Sequence, residues 1–197
     1  MSRGEKSRNA LLEHGTLLML RSGYAATGLV ELLQVAGVPK GSFYNHFESK
    51  EAFAVELVRR YYAGHDRRLA DVVAETERSP LGRLRSYFDE LLERAVEADA
   101  PVRGCLLGML ALEMAGSSEP LRASVNDAFG RWQARIAELV RQAQEAGEVR
   151  AEHDADRLAG ALLQGWEGAL MRARVSRDLT PLRNFVDLEF NRLLDTY

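Results

Sequence analysis

The sequence predicts an all-α protein of nine helices, three at the front of the chain and six in a larger body behind them. Three observations carry that expectation. Apolar residues recur at helical spacing along almost the whole chain. There is no alternating run of β-branched residues and no Asn-Gly or Asp-Gly hairpin signal. Leucine, alanine, arginine and glutamate dominate, and only 5 prolines occur in 197 residues, a composition that favours helix.

The first helix is predicted over about 6–22, with Ala10, Leu11, His14, Leu17, Leu18 and Arg21 along it. Gly23 ends it, as a left-handed C-terminal residue would. Thr27 caps a short second helix from Gly28 to Val35. Gly37 breaks that helix. Pro39 suits the first turn of a two-turn third helix over about 39–46, where a missing N–H costs nothing. Ser49 caps a long fourth helix reaching roughly Thr76, and Arg78-Ser79-Pro80 starts a fifth that fades near Asp99-Ala100-Pro101. A strongly apolar sixth helix spans about 102–115 and ends at Gly116-Ser117-Ser118. The seventh runs from about 119 to 146 and stops at Gly147. The eighth begins after His153-Asp154 and reaches about Val175, and Thr180-Pro181 opens the ninth. The natural domain boundary lies near residue 47, giving 1–47 and 48–197, joined by the long fourth helix.

Composition narrows the function classes. Hydrophobic residues make up 46% and charged residues 28%, as in ordinary globular proteins. No apolar run approaches the roughly 20 residues that span a bilayer, so no membrane partner is expected. Met1 to Lys6 lacks the apolar stretch of a signal peptide, so a cytoplasmic protein is expected. The single cysteine, Cys105, excludes an intrachain disulfide. Net charge is −3, yet residues 1–50 carry +2 and all three lysines, and the rest carries −5. A mildly basic head on an acidic body can meet phosphates with one end. His14, His46, His65 and His153 are scattered, and no phosphate loop, metal cluster or nucleophile motif occurs. Catalytic residues, metal ligands and cofactors are therefore assigned to none; a metal-dependent helical enzyme would need inward carboxylates and histidines on neighbouring helices.

The second and third helices form a candidate helix-turn-helix. Leu29, Leu32, Leu33, Val38, Phe43 and Phe47 would pin the pair together, and Gly37 would turn the chain between them. The outer face of the third helix offers Lys40, Gly41, Ser42, Tyr44, Asn45 and His46, small or polar groups that fit a DNA groove. Any helical corner could carry such residues on a solvated face. The run Gly23-Tyr24, Thr27, then Ala36-Gly37-Val38-Pro39-Lys40-Gly41-Ser42-Phe43-Tyr44-Asn45-His46-Phe47-Glu48-Ser49-Lys50-Glu51 closely resembles the signature of TetR-family regulators.

The resemblance implies a nine-helix TetR-like architecture. The helix-turn-helix would bind double-stranded operator DNA, and the C-terminal domain would bind a small-molecule inducer and dimerise. It implies that Thr27, Lys40, Tyr44 and Lys50 contact phosphates. Gly41 would permit close approach, Ser42 and Asn45 would face the duplex with Asn45 reading bases, and His46 would be structural or phosphate-side. Pro39, Gly28 and Leu33 depart from the family pattern, which favours a hydroxyl at the first two positions and alanine at the third. The function implied is a one-component repressor. A family-like interaction module without DNA binding and a helical enzyme are the alternatives.

In the body, Leu158, Ala161, Leu162, Gly165, Trp166, Ala169, Leu170 and Ala173 form one stripe on the eighth helix. Leu182, Phe185, Val186, Leu193 and Leu194 line the ninth. The resemblance implies a homodimer through these two helices, whereas periodicity alone fits an internal core equally well. The sixth helix is apolar almost all round and is expected to be buried, with Cys105, Met109, Leu112 and Glu113 on one face. Tyr61, Tyr62, Phe88, Trp132 and Trp166 would supply aromatic walls to a ligand site, or ordinary core. Gly104-Cys105-Leu106-Leu107-Gly108, with Leu112-Glu113-Met114 and Leu121-Arg122, resembles the electrophile- and acrylate-responsive repressor branch of the family. Cys105 is thus either a small buried hydrophobe or a thiol activated by the helix dipole and Arg103. No lysine follows Lys50, so no lysine amine beyond that residue can close onto it.

Overall fold

Short polar residues start most of the helices, and glycines stop two of them, at Gly37 and Gly147. The computed structural model describes residues 2–96 and 104–194, and these contain nine helices and no strand. They are α1 (Arg3–Ala26), α2 (Leu29–Ala36), α3 (Lys40–Tyr44), α4 (Lys50–Ala74), α5 (Pro80–Val96), α6 (Leu106–Met114), α7 (Glu119–Glu145), α8 (Ala155–Ser176) and α9 (Thr180–Leu194). Among the described residues, no helix is long and apolar enough to cross a membrane. Ser2 and Glu5 form a reciprocal capping box on α1. Ser49 caps α4 through Ala52 N–H at 3.0 Å, and Asp154 caps α8 through Arg157 N–H at 2.8 Å. Gly37 closes α2 in the left-handed conformation, φ 63°, ψ 31°.

Four local expectations need correction. Gly23 has φ 83° and ψ 175°, so it kinks the helix in an extended glycine conformation rather than capping it, and helical turns resume to Ala26. Thr27 does not cap α2; its hydroxyl turns back to donate to Gly23 O at 2.7 Å, and Gly28 holds the N-cap without a side-chain bond. Pro39 stands outside α3 at its N-cap, φ −62°, ψ 148°, rather than inside the first turn. The helix α6 begins at Leu106, with Cys105 at its N-cap. The expected start at Val102 and Arg103 lies outside the described residues, as do the side chains of Leu193 and Leu194.

The chain packs as two compact units, Met1–Gly64 with Cys105–Phe129 and His65–Gly104 with Gly130–Tyr197. The unit that holds the helix-turn-helix therefore extends beyond residue 47 and recruits α6. Its core joins Leu11, Leu12, Leu18 and Met19 of α1 to Leu32, Phe43, Phe47, Phe53 and Leu57. Leu106, Leu107 and Leu110 bury one side of α6. Leu112 is 83% exposed and Glu113 is exposed too, so α6 is buried on one face and not all round.

The second unit centres on Phe88, whose ring lies 5.5 Å from Trp166, 5.4 Å from Phe185 and 5.7 Å from Phe190. A Cβ on Gly165 would meet Phe185 at 2.8 Å, so this glycine lets α9 lie close on α8. Arg83 is buried and donates to Val72 O, Val73 O and Gln142 Oε1, closing the C-terminal carbonyls of α4. On α8, Leu162, Trp166, Leu170 and Ala173 are buried, but Ala161 and Gly165 of the expected stripe are exposed.

Candidate nucleic-acid interface

The short α3 is held by aromatic packing beneath it. Phe43 stacks against Phe47 at 5.3 Å and Phe53 at 5.5 Å, and Phe47 meets Phe53 at 4.9 Å. These rings anchor α3 to α4 and leave the opposite face outward. On that face Lys40, Gly41, Tyr44 and Asn45 are exposed, and Ser42 is half-buried. Tyr44 keeps 53% of its surface open, a large value for an aromatic side chain. A Cβ on Gly41 would meet nothing within 4 Å, and its backbone has no positive φ. Among the described residues, nothing requires a glycine there.

His46 takes a structural role. Its Nε2 lies 2.8 Å from Ser7 Oγ, and Ser42 Oγ approaches the same hydroxyl at 3.4 Å, which ties the end of α3 to the first turns of α1. Part of the basic charge of the front segment is committed internally. Arg8 pairs with Glu56 at 2.5 Å and lies over Phe47, and Arg21 pairs with Glu31 at 2.5 Å.

Two expected phosphate contacts are placed inward. Thr27 is only 2% exposed. Lys50 is half-buried; its Nζ donates to Tyr24 O at 2.6 Å and lies 4.4 Å from the Tyr24 ring centre. Partial burial lowers the Lys50 pKa, and the Glu113 charge opposes that shift. Lys50 also borders a shallow groove with Thr27, Gly28, Leu29 and Leu32.

The candidate ligand residues divide between the units. Tyr61, Tyr62, Cys105, Met109, Leu112 and Glu113 belong to the first; Phe88, Trp132 and Trp166 belong to the second. Cys105 is 6% exposed. Glu113 binds the chain itself, since its Oε2 accepts from Ala25 N–H at 3.0 Å. Trp132 is buried and faces His65 with ring centres 4.5 Å apart. His65 Nδ1 is 3.2 Å from the Tyr87 hydroxyl. Burial, reinforced by the charges of Arg68 and Arg94, lowers the His65 pKa to about 4, so the ring is neutral near pH 7. Sequence reasoning did not single out His65, although it stands four residues after Tyr61 and three after Tyr62, on the same helical stripe. It also missed Ser7 and Tyr24, whose roles come entirely from residues distant in sequence.

Residues 11–57 match the family model "Bacterial regulatory proteins, tetR family", and residues 80–188 match "Tetracyclin repressor-like, C-terminal domain". The chain is 32% identical over 187 residues to the HTH-type transcriptional repressor DhaR of Mycobacterium sp. strain GP1, covering 95% of this chain and 92% of that one. It is 37% identical over 179 residues to the transcriptional regulator AcuR of Cereibacter sphaeroides, covering 91% and 81%. Its fold is similar to the crystal structure of the reduced form of Escherichia coli NemR, with TM-score 0.86, 31% identity and coverage of 94% and 95%.

Proposed function

The chain belongs to the TetR family of bacterial regulatory proteins and is a DNA-binding transcriptional regulator; from that premise we propose how it acts. Residues 1–47 bind operator DNA, a small molecule bound in the body releases it, and two copies pair through α8 and α9. The observation that carries the DNA reading is the outer face of α3. Glycine is a weaker helix former than alanine, and among the described residues nothing packed near Gly41 calls for one. A duplex brought close to α3 supplies the reason. Lys40 and Tyr44 then reach the backbone on either side, while Ser42 and Asn45 face the base edges. Such a regulator works in the bacterial cytoplasm, where the chromosome lies.

The dimer reading rests on apolar surface that the single chain leaves uncovered. Ala161, Gly165, Met171 and Val175 of α8 and Leu188 of α9 are exposed, and Val175 is open to 73%. A two-fold pairing on this face would bury it and set two copies of α3 for half-sites about 34 Å apart.

Two kinds of inducer fit the body. A reversible ligand would occupy the aromatic surroundings of Phe88, Trp132 and Trp166. A soft electrophile would add to Cys105: the sulfur bonds to the β-carbon of an activated alkene, the double bond is consumed, and the α-carbon takes a proton. Both routes require the packed interior to open, since Phe88, Trp132, Trp166 and Cys105 are all buried.

Gel shifts with DNA from upstream of the protein's own gene test the proposal. Lys40→Ala and Tyr44→Ala should each weaken binding about tenfold, the loss of one charged or aromatic contact, with an unchanged melting temperature. Wild-type affinity in both variants would contradict the contact assignment. Cys105→Ser should abolish release by alkene electrophiles and leave reversible release intact; persistence of both would remove the covalent route.

A further inference from the structure

The chain between α1 and α2 is gripped from two sides. Gly23 O accepts from the Thr27 hydroxyl at 2.7 Å, and Tyr24 O accepts from Lys50 Nζ at 2.6 Å. Ala25 N–H donates to Glu113 Oε2 at 3.0 Å, across 88 residues of sequence. The start of α4 and the end of α6 therefore both hold one five-residue corner. Glu113 also lies directly against Gly23: a Cβ there would stand 2.2 Å from Glu113 Oε1. Gly23, at φ 83°, is free to act as a pivot. Downstream, α2 begins at Gly28 without a side-chain cap, and its first turn is tied to α1 through the exposed Arg21–Glu31 pair.

A backbone N–H at a kink needs a partner, and water or a neighbouring hydroxyl could provide it. Here a carboxylate from a separate helix does so. Because Glu113 is exposed, its bond adds little to global stability. What it does is fix geometry. The same corner presents the carbonyl and ring that hold Lys50, and Glu113 contributes to the field around that ammonium.

We propose that Glu113 is a positioning residue for DNA binding: by accepting the Ala25 N–H it locks the Gly23–Thr27 corner, and through the corner it sets the start of α2 and the location of Lys50. The inference rests on the reading that the outer face of α3 meets the duplex. It adds that one carboxylate on α6 holds the corner that precedes α2 and α3.

The full-length protein is tested as wild type, Glu113→Ala and Glu113→Gln, with Lys40→Ala in the same titrations on upstream DNA. Melting temperature and amide exchange over residues 20–30 are measured alongside. Glu113→Ala should bind DNA about fivefold more weakly, with faster exchange at Ala25 and an unchanged melting temperature. Glu113→Gln should bind within about twofold of wild type, because its amide oxygen still accepts from Ala25 N–H.

Wild-type affinity in Glu113→Ala overturns the proposal. So does failure of that variant to fold, since Glu113 would then be an element of stability. Loss of affinity in Glu113→Gln with Ala25 still protected also overturns it, because charge rather than hydrogen-bond acceptance would be the cause. If Lys40→Ala binds as wild type does, the underlying α3 reading fails instead, and the two failures are told apart in one experiment.

Discussion

Acidification from pH 7 to pH 5 should destabilise the protein through one buried ring. His65 is neutral in the fold, with a pKa of about 4 against 6.5 for an unperturbed histidine. The unfolded chain therefore takes up a proton between those values and the folded chain does not. Stability from this group is fully present above about pH 6.5 and is lost progressively as the pH falls towards 4. Between pH 7 and pH 5 the difference amounts to about 2 kcal/mol. For a chain of this size that corresponds to roughly 4–8 °C in melting temperature. Carboxylates also titrate in this range, so the informative quantity is the difference between wild type and His65→Gln. Glutamine keeps a hydrogen-bonding group for the Tyr87 hydroxyl and has no proton to take up. Thermal unfolding followed by circular dichroism, at one protein concentration, gives both curves. The wild type should lose about 4–8 °C more than His65→Gln over this interval. Parallel losses would refute the reasoning and place His65 in a setting that tolerates its charge.

Three further outcomes follow from single positions. Gly37→Ala should cost about 1–2 kcal/mol in thermal unfolding, because φ 63° is left-handed backbone that a Cβ opposes; an unchanged melting temperature would mean that the turn re-forms in another conformation. Gly41→Ala should keep or raise the melting temperature and weaken binding to upstream DNA in gel shifts, and unimpaired binding would remove the close-approach argument. Val175→Asp, at an exposed apolar site on α8, should shift the protein towards monomer in light scattering at micromolar concentration, whereas a dimer of undiminished stability would locate the interface elsewhere.

Local chemistry was the legible part of the sequence. Ser49 and Asp154 cap their helices through bonds to residues three positions on, and Gly37 turns the chain through its own backbone freedom. Such features need no knowledge of the rest of the fold. Where a distant partner decides, sequence spacing was not enough. Thr27 looks like a cap but turns its hydroxyl back to a carbonyl freed by the Gly23 kink. Leu112 continues an apolar run yet points outward, since periodicity does not say what covers a helix. Glu113 shares a face of the sixth helix with Cys105 and Met109, and a carboxylate among apolar residues needs a partner. It has one, but that partner is a backbone N–H on α1. On α3, by contrast, the aromatic anchors and the outward polar residues alternate within a few positions, so its exposed face could be read directly.

The central claim is that the outer face of α3 binds a particular duplex. The most direct test titrates the intact protein with its upstream DNA and with an unrelated duplex of equal length, across a series of salt concentrations. The account predicts tighter binding to the upstream DNA, at least 10³-fold at moderate salt in the usual range for specific recognition, with both affinities falling as salt rises. Equal affinity for the two duplexes throughout the series would contradict it.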